Sequence, residues 1–177
     1  MRAAARPAQN GGMDEIVGLY DDAGRECGSA PRSRMRRENL RHGATAIVVL
    51  DPAGRIFVHR RTETKDLYPG RLDFAAGGVM RAGEGPAESA AREAFEELGV
   101  TSPLTPIGEG DYADARTSAH AFLFFAVTDE PLRFQPEEVA GGEWMTREEL
   151  VAAVETFPER FMPDTVALLL EWVQNYH

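Results

Sequence analysis

From Gly77 to Val100 the chain reads GGVMRAGEGPAESAAREAFEELGV, a glycine-rich turn entering a helix crowded with carboxylates. Pro86 suits a first helical turn, where its missing N–H leaves no bond unmade, and Gly99 suits a helix stop. At about 100° per residue, Glu93, Glu96 and Glu97 fall within an arc of roughly 100°. Ala87, Ala91, Ala94, Phe95 and Leu98 form a separate apolar arc, expected to face a core. Like charges three and four residues apart repel by about 0.2–0.5 kcal/mol per pair, so the acidic arc weakens the helix on its own. A divalent cation reverses that sign. Oxygen ligands suit magnesium, with manganese as the alternative, better than zinc or copper. The plain alternative is a solvated acidic face.

Spacing sharpens the choice. Gly78, five residues, Glu84, seven residues, Arg92-Glu93, then Glu96-Glu97, Leu98, Gly99 and Val100 form a fixed pattern that resembles the Nudix box. That box is the signature of Mg-dependent hydrolases acting on nucleoside diphosphates linked to another group. Eight of its nine fixed positions match, and the departure is Ala94, where the family usually has Ile, Leu or Val. The resemblance implies an α/β fold, a mixed β-sheet between helices in an α/β/α sandwich. It implies Glu93, Glu96 and Glu97 as metal ligands, with the Gly78 carbonyl as a further oxygen. Arg92 orients a box glutamate in the family, and Glu84 is a weaker ligand candidate.

The 177 residues suit one domain able to bury a core, here placed at 13–177. A net charge of −10 argues against a surface that works by neutralising nucleic-acid phosphates. An acidic protein that handles phosphates needs a metal to bring positive charge. One cysteine, Cys27, cannot form an internal disulfide, so a reducing, cytoplasmic setting is expected. No apolar run approaches a membrane span. Residues 1–12, MRAAARPAQNGG, lack periodicity and read as a disordered tail, with Met13 as an alternative start.

Residues 14–32 read as two short strands around an Asp21–Gly24 turn, and the basic stretch 33–41 as a short helix or linker. Arg34, Arg36, Arg37 and Arg41 there form a solvated face rather than a phosphate site. Strands follow at 44–50 and 55–61, joined by an Asp-Pro-Ala-Gly turn. The run RRTETKDLYPGRLDFAAGG that leads into the box resembles a Nudix subgroup related to isopentenyl diphosphate isomerase. Arg60, Arg61, Lys65 and Arg71 are therefore candidates for gripping substrate phosphates, Arg61 first. The isomerases use a cysteine just before the box-equivalent loop and a nearby histidine. Residues 74–78 are Phe-Ala-Ala-Gly-Gly, which disfavours isomerisation, and His42, where the isomerases have a further metal ligand, has no partners.

Beyond the box, residues 104–112 and 119–128 read as strands, the second apolar enough for burial on both faces. Asp111 and Asp114 are candidates for a hydrogen bond to a ribose or base, and His120 reads as a core or edge histidine. Glu138 resembles an additional acidic residue that many Nudix hydrolases place here as a metal ligand or general base. Glu137 is the competing register, and a helix-start acidic pair is the plain alternative. Thr146 and Glu149 form a capping box at the start of a helix, and a second helix covers 166–176. By resemblance the whole reads as a Mg-dependent hydrolase of a nucleoside diphosphate derivative, monomer or homodimer, acting on a small molecule. In it, Glu138, or Glu96 or Glu97, takes a proton. An isomerase-like enzyme and a non-catalytic nucleotide-binding module are the alternatives.

Overall fold

The computed structural model describes residues 13–176; the tail expected at 1–12 lies outside them. Alternation along three strands sets the architecture. In β3 (His42–Leu50), β4 (Ile56–Arg61) and β8 (Ser118–Val127), successive side chains point to opposite sides of one sheet. Val48, Leu50, Ile56, Val58 and Leu123 face one way, while Ile47, Val49, Phe57 and Phe124 face the other. Both faces are apolar, so both must be covered by helices. One face packs on α3 (Arg147–Thr156) and α4 (Pro163–Asn175) through Leu150, Val154, Leu169 and Val173. The other packs on α2 (Pro86–Leu98) through Ala90, Ala94 and Leu98. This is the expected mixed sheet between helices.

Strand β3 is the pivot. It runs parallel to β8 from His42↔Ala119 to Leu50↔Val127, and antiparallel to β6 (Ala76–Val79) from Ala44↔Val79 to Ile47↔Ala76. The hairpin of β1 (Ile16–Tyr20) and β2 (Glu26–Pro31) joins β3 at Leu19↔His42, and α1 (Arg32–Glu38) follows it. Strand β7 (Thr105–Ala113) forms a hairpin with β8. Strand β4 carries the short β5 (Leu72–Asp73) and β9 (Val139–Met145).

Two expectations change. Strand β9 occupies residues that the acidic pair and two glycines obscured as a strand. Gly142 is required there, because a Cβ would lie 2.5 Å from the Phe57 ring and 2.7 Å from the Val58 carbonyl. The buried face of α2 is also rotated from the one expected. It consists of Ser89, Ala90, Ala94, Glu97 and Leu98, while Ala87 and Ala91 are exposed and Phe95 is 60% exposed. Small residues at 90 and 94 let the helix approach the sheet closely, and that rotation brings Glu97 inward toward β6. Helix α2 ends as expected, at Gly99 with φ 69°, whose N–H donates to the Phe95 carbonyl at 2.9 Å.

Candidate active site

The site begins with two glycines on β6. A Cβ at Gly77 would stand 1.9 Å from the Thr45 carbonyl oxygen, and one at Gly78 would meet the Glu93 carboxylate at 2.7 Å. Glycine at both positions lets β6 lie against β3 and lets α2 bring its acids up to the strand. The Gly77 N–H donates to Glu97 Oε2 at 3.3 Å, tying the two elements together.

Arg92 organises the other acids. Its Nε and Nη2 donate to the two oxygens of Glu84 at 2.7 and 2.9 Å, a bidentate pair. Its Nη1 donates to Glu93 Oε1 at 2.6 Å and to Glu96 Oε2 at 3.3 Å. Glu84 is thereby held below the usual carboxylate range, by the Arg92 hydrogen bonds above all. Burial pushes Glu93 and Glu97 above that range. For Glu97, Lys65 opposes the shift while Glu93 and Asp73 add to it.

These groups open on a cleft of about 380 Å³, lined by Gly77, Gly78, Arg92, Glu93, Glu96, Glu97, Lys65 and Glu138 among others. Glu138 reaches it from the start of β9 and pairs with Lys65, whereas Glu137 is exposed. Arg61 lines an adjoining chamber that shares Arg32, Lys65, Gly77 and Gly78 with the cleft. Arg60 does not join them. It is exposed and lies with Gly141, Glu143 and Arg160, because neighbours on a strand face opposite ways and only one of the pair can point to the site. Arg71 is used structurally, donating to the Phe161 carbonyl at 3.1 Å and covering the Tyr68 ring at 4.7 Å.

Other candidates resolve into structure. Asp114 accepts from Tyr68 and Tyr112 and from the N–H groups of Arg116 and Thr117. Asp111 accepts from Arg41 at 2.6 Å and pairs with His120 at 2.7 Å. His42 lines the chamber and donates Nδ1–H to the Leu40 carbonyl at 3.0 Å. Arg36, expected on a solvated face, is instead partly buried and lines the chamber, as does Arg32 of α1, which was not among the candidates. Their spacing of four, one helical face, was the available signal.

The donor set fits a hard divalent cation. The carboxylates of Glu93, Glu96, Glu97 and Glu138 and the backbone of Gly78 offer oxygen only, and the raised carboxyls of Glu93 and Glu97 are groups that a cation would favour ionised. Among the described residues no three acidic, His or Cys side chains close on one point. Arg92 and Lys65 hold several of these acids in the arrangement described.

A glycine-rich strand thus faces an acid-rich helix beside a mixed sheet, and the family follows from likeness to known proteins. The chain belongs to the Nudix family: the NUDIX domain model matches residues 40–165. It is 41% identical over 162 residues to the uncharacterized Nudix hydrolase YfcD of Shigella flexneri, covering 91% of this chain and 88% of that one. It is 39% identical over 170 residues to the uncharacterized Nudix hydrolase orf19 of Rhodococcus erythropolis, covering 90% and 92%. The crystal structure of DR0079 from Deinococcus radiodurans superposes with a TM-score of 0.73 at 27% identity, covering 92% of this chain and all of that one. The protein is a Nudix hydrolase. Among the described residues no helix is long and apolar enough to cross a membrane.

Proposed function

We propose that the protein hydrolyses a diphosphate linkage in a nucleoside diphosphate derivative, with Mg²⁺ as its cofactor and Mn²⁺ as a substitute. The observation that carries this reading is the convergence of Gly78, Glu93, Glu96, Glu97 and Glu138 on one cleft, with Lys65 among them and Arg61 beside them. Glu93, Glu96, Glu97 and the Gly78 carbonyl would hold the metal. When bound, a divalent cation there neutralises diphosphate oxygens and lowers the pKa of a coordinated water.

The chain's own groups then divide the work. Arg92 positions Glu93 and Glu96 and touches no substrate atom. Lys65 and Arg61 draw the phosphates in and hold the departing one. Glu138, or Glu96 or Glu97 in its place, takes the proton of the attacking water. The water oxygen bonds to phosphorus as the bridging P–O bond breaks, and the leaving phosphate keeps the bridging oxygen. Phosphoryl transfer needs placement and charge neutralisation rather than a covalent nucleophile. Cys27, the only cysteine of the chain, lies on β2 and lines neither cavity, in keeping with hydrolysis rather than isomerisation.

The test is product release across nucleoside di- and triphosphates and nucleotide sugars in H₂¹⁸O with Mg²⁺. Hydrolysis places ¹⁸O in a phosphorus-bearing product. A protein that binds Mg²⁺ yet releases no product from any member of the panel contradicts the proposed substrate class.

A further inference from the structure

The chamber beside the acidic cleft has a volume of about 120 Å³ and is lined by four cations: Arg32, Arg36, Arg61 and Lys65. They gather there in a chain whose net charge is −10. Carboxylates partner three of them: Asp66 accepts from Arg36 Nε at 3.2 Å and lies 4.0 Å from Arg32, Glu15 lies 3.7 Å from Arg32, and Glu138 pairs with Lys65, while burial pushes Asp73 up and Asp164 up to about 6. Arg61 Nε is buried without a hydrogen-bond partner, and its Nη2 donates to the Leu67 carbonyl at 3.0 Å. A buried donor left unmatched is an invitation to an acceptor.

Size and lining narrow the occupant. Among the described residues no Phe, Tyr or Trp lines the chamber; its walls include His42, Ala44, Ala46, Ala75 and Ala76. Its volume is below the roughly 300 Å³ where pockets for drug-sized ligands begin, and its cationic lining suits a phosphate group better than a nucleobase with its ribose.

Resting on the hydrolase reading above, we propose that this chamber seats the terminal phosphate of the substrate. The enzyme accordingly takes nucleoside di- and triphosphates in preference to nucleotide sugars and dinucleotides. A free terminal phosphate carries close to two charges at neutral pH and three acceptor oxygens, which suits planar guanidinium donors. A diphosphate capped by a sugar has less charge at that end and brings bulk that the chamber cannot hold. Arg36 is the specificity residue: its side chain is only 20% exposed and is anchored by Asp66 and, at 3.5 Å, by Thr117. It lines the chamber but not the acidic cleft.

Two measurements test this, using wild type, Arg36→Ala and Arg32→Ala, with Arg34→Ala as a control on the same helix outside the chamber. The first is calorimetric binding of inorganic phosphate to the metal-free protein. The second is kcat/KM for ADP and ATP against ADP-ribose and ADP-glucose, where the base is constant and only the terminal group changes. Loss of a charge-assisted contact predicts weaker phosphate binding by about tenfold or more in Arg36→Ala, and a similar fall in kcat/KM for ADP and ATP. ADP-ribose and ADP-glucose turnover changes little, Arg34→Ala behaves as wild type, and Arg36→Lys recovers part of the loss. If Arg36→Ala does not fold, Arg36→Gln gives the same readout; Arg32→Ala, whose residue also lines the acidic cleft, is read by phosphate binding alone. Unchanged phosphate binding in the folded variants, or a wild-type preference for the capped compounds, overturns the proposal. Phosphate binding that falls in Arg36→Ala while no diphosphate is cleaved leaves the chamber assignment standing and defeats the hydrolase reading.

Discussion

Glu97 has a place in the fold and, on the proposed reading, in the chemistry. It lies on the buried face of α2, accepts the Gly77 N–H and opens on the cleft, so its position is set by the packing of helix on strand. Its charge, by contrast, is unfavourable there: burial and the neighbouring Glu93 and Asp73 all press it toward the neutral acid. Glu97→Gln therefore removes the charge without removing a stabilising interaction of the fold. The variant is expected to melt within about 4 °C of wild type while Mg²⁺-dependent turnover falls by roughly two orders of magnitude or more. Thermal denaturation and steady-state kinetics on the same preparation check both halves. Arg60 and Arg61 carry a related lesson. The sequence shows two adjacent arginines and a strand permits only one to face the chamber, yet which one depends on the sheet's second face being filled by helices.

At the scale of elements, the legible parts were those whose local chemistry and tertiary role coincide. The run from Ala44 to Leu50 and the run from Ala119 to Val127 are apolar at every parity because helices cover both faces of the sheet, and both are strands. Thr146 and Glu149 form the reciprocal cap expected of them: the Glu149 N–H donates to the threonine oxygen at 3.2 Å and the Thr146 N–H to Glu149 Oε2 at 2.8 Å. Thr146→Ala is expected to cost about 1 kcal/mol, read as a shift in urea midpoint with unchanged slope. Two features were not legible. The rotation of α2 follows from close approach at Ala90 and Ala94, and an apolar count that weights Phe95 above alanine points to the wrong face. Strand β9 carries Gly142 because Phe57 and the β4 backbone leave no room for a Cβ there, and Gly141 because its φ of 143° suits glycine, whereas glycines in sequence alone argue against a strand. The gathering of Glu93, Glu96 and Glu97 on one cleft was expected from their spacing; the placing of Arg32 and Arg36 beside it was not, since an exposed basic helix and one closing a chamber share the same composition.

Over the whole molecule, buried charge sets the response to pH. His42 and His59 are enclosed near the middle of the sheet, and burial lowers their pKa values from 6.5 to about 4 and about 3. Between about pH 6.5 and about pH 4 the unfolded chain binds protons that the native state refuses, so stability rises with pH across that window and is lost as pH falls. His42 alone accounts for about 3 kcal/mol between pH 7 and about pH 4. His42→Gln keeps a donor for the Leu40 carbonyl and is expected to flatten the dependence of urea midpoint on pH over that interval. An equal slope in wild type and variant contradicts this assignment.

The cleft draws acids and cations together in a protein of net charge −10, and the proposed reading requires added positive charge to complete it. The decisive measurement is divalent-metal dependence in wild type and Glu97→Gln: Mg²⁺ and Mn²⁺ binding by calorimetry, with nucleotide and phosphate release followed before EDTA, after EDTA and after Mg²⁺ is returned. Turnover that disappears with EDTA and returns with Mg²⁺, together with metal binding weakened in Glu97→Gln, is the predicted result. Turnover indifferent to EDTA, or a wild-type protein that binds no divalent metal, contradicts the assignment of the box acids as a metal site.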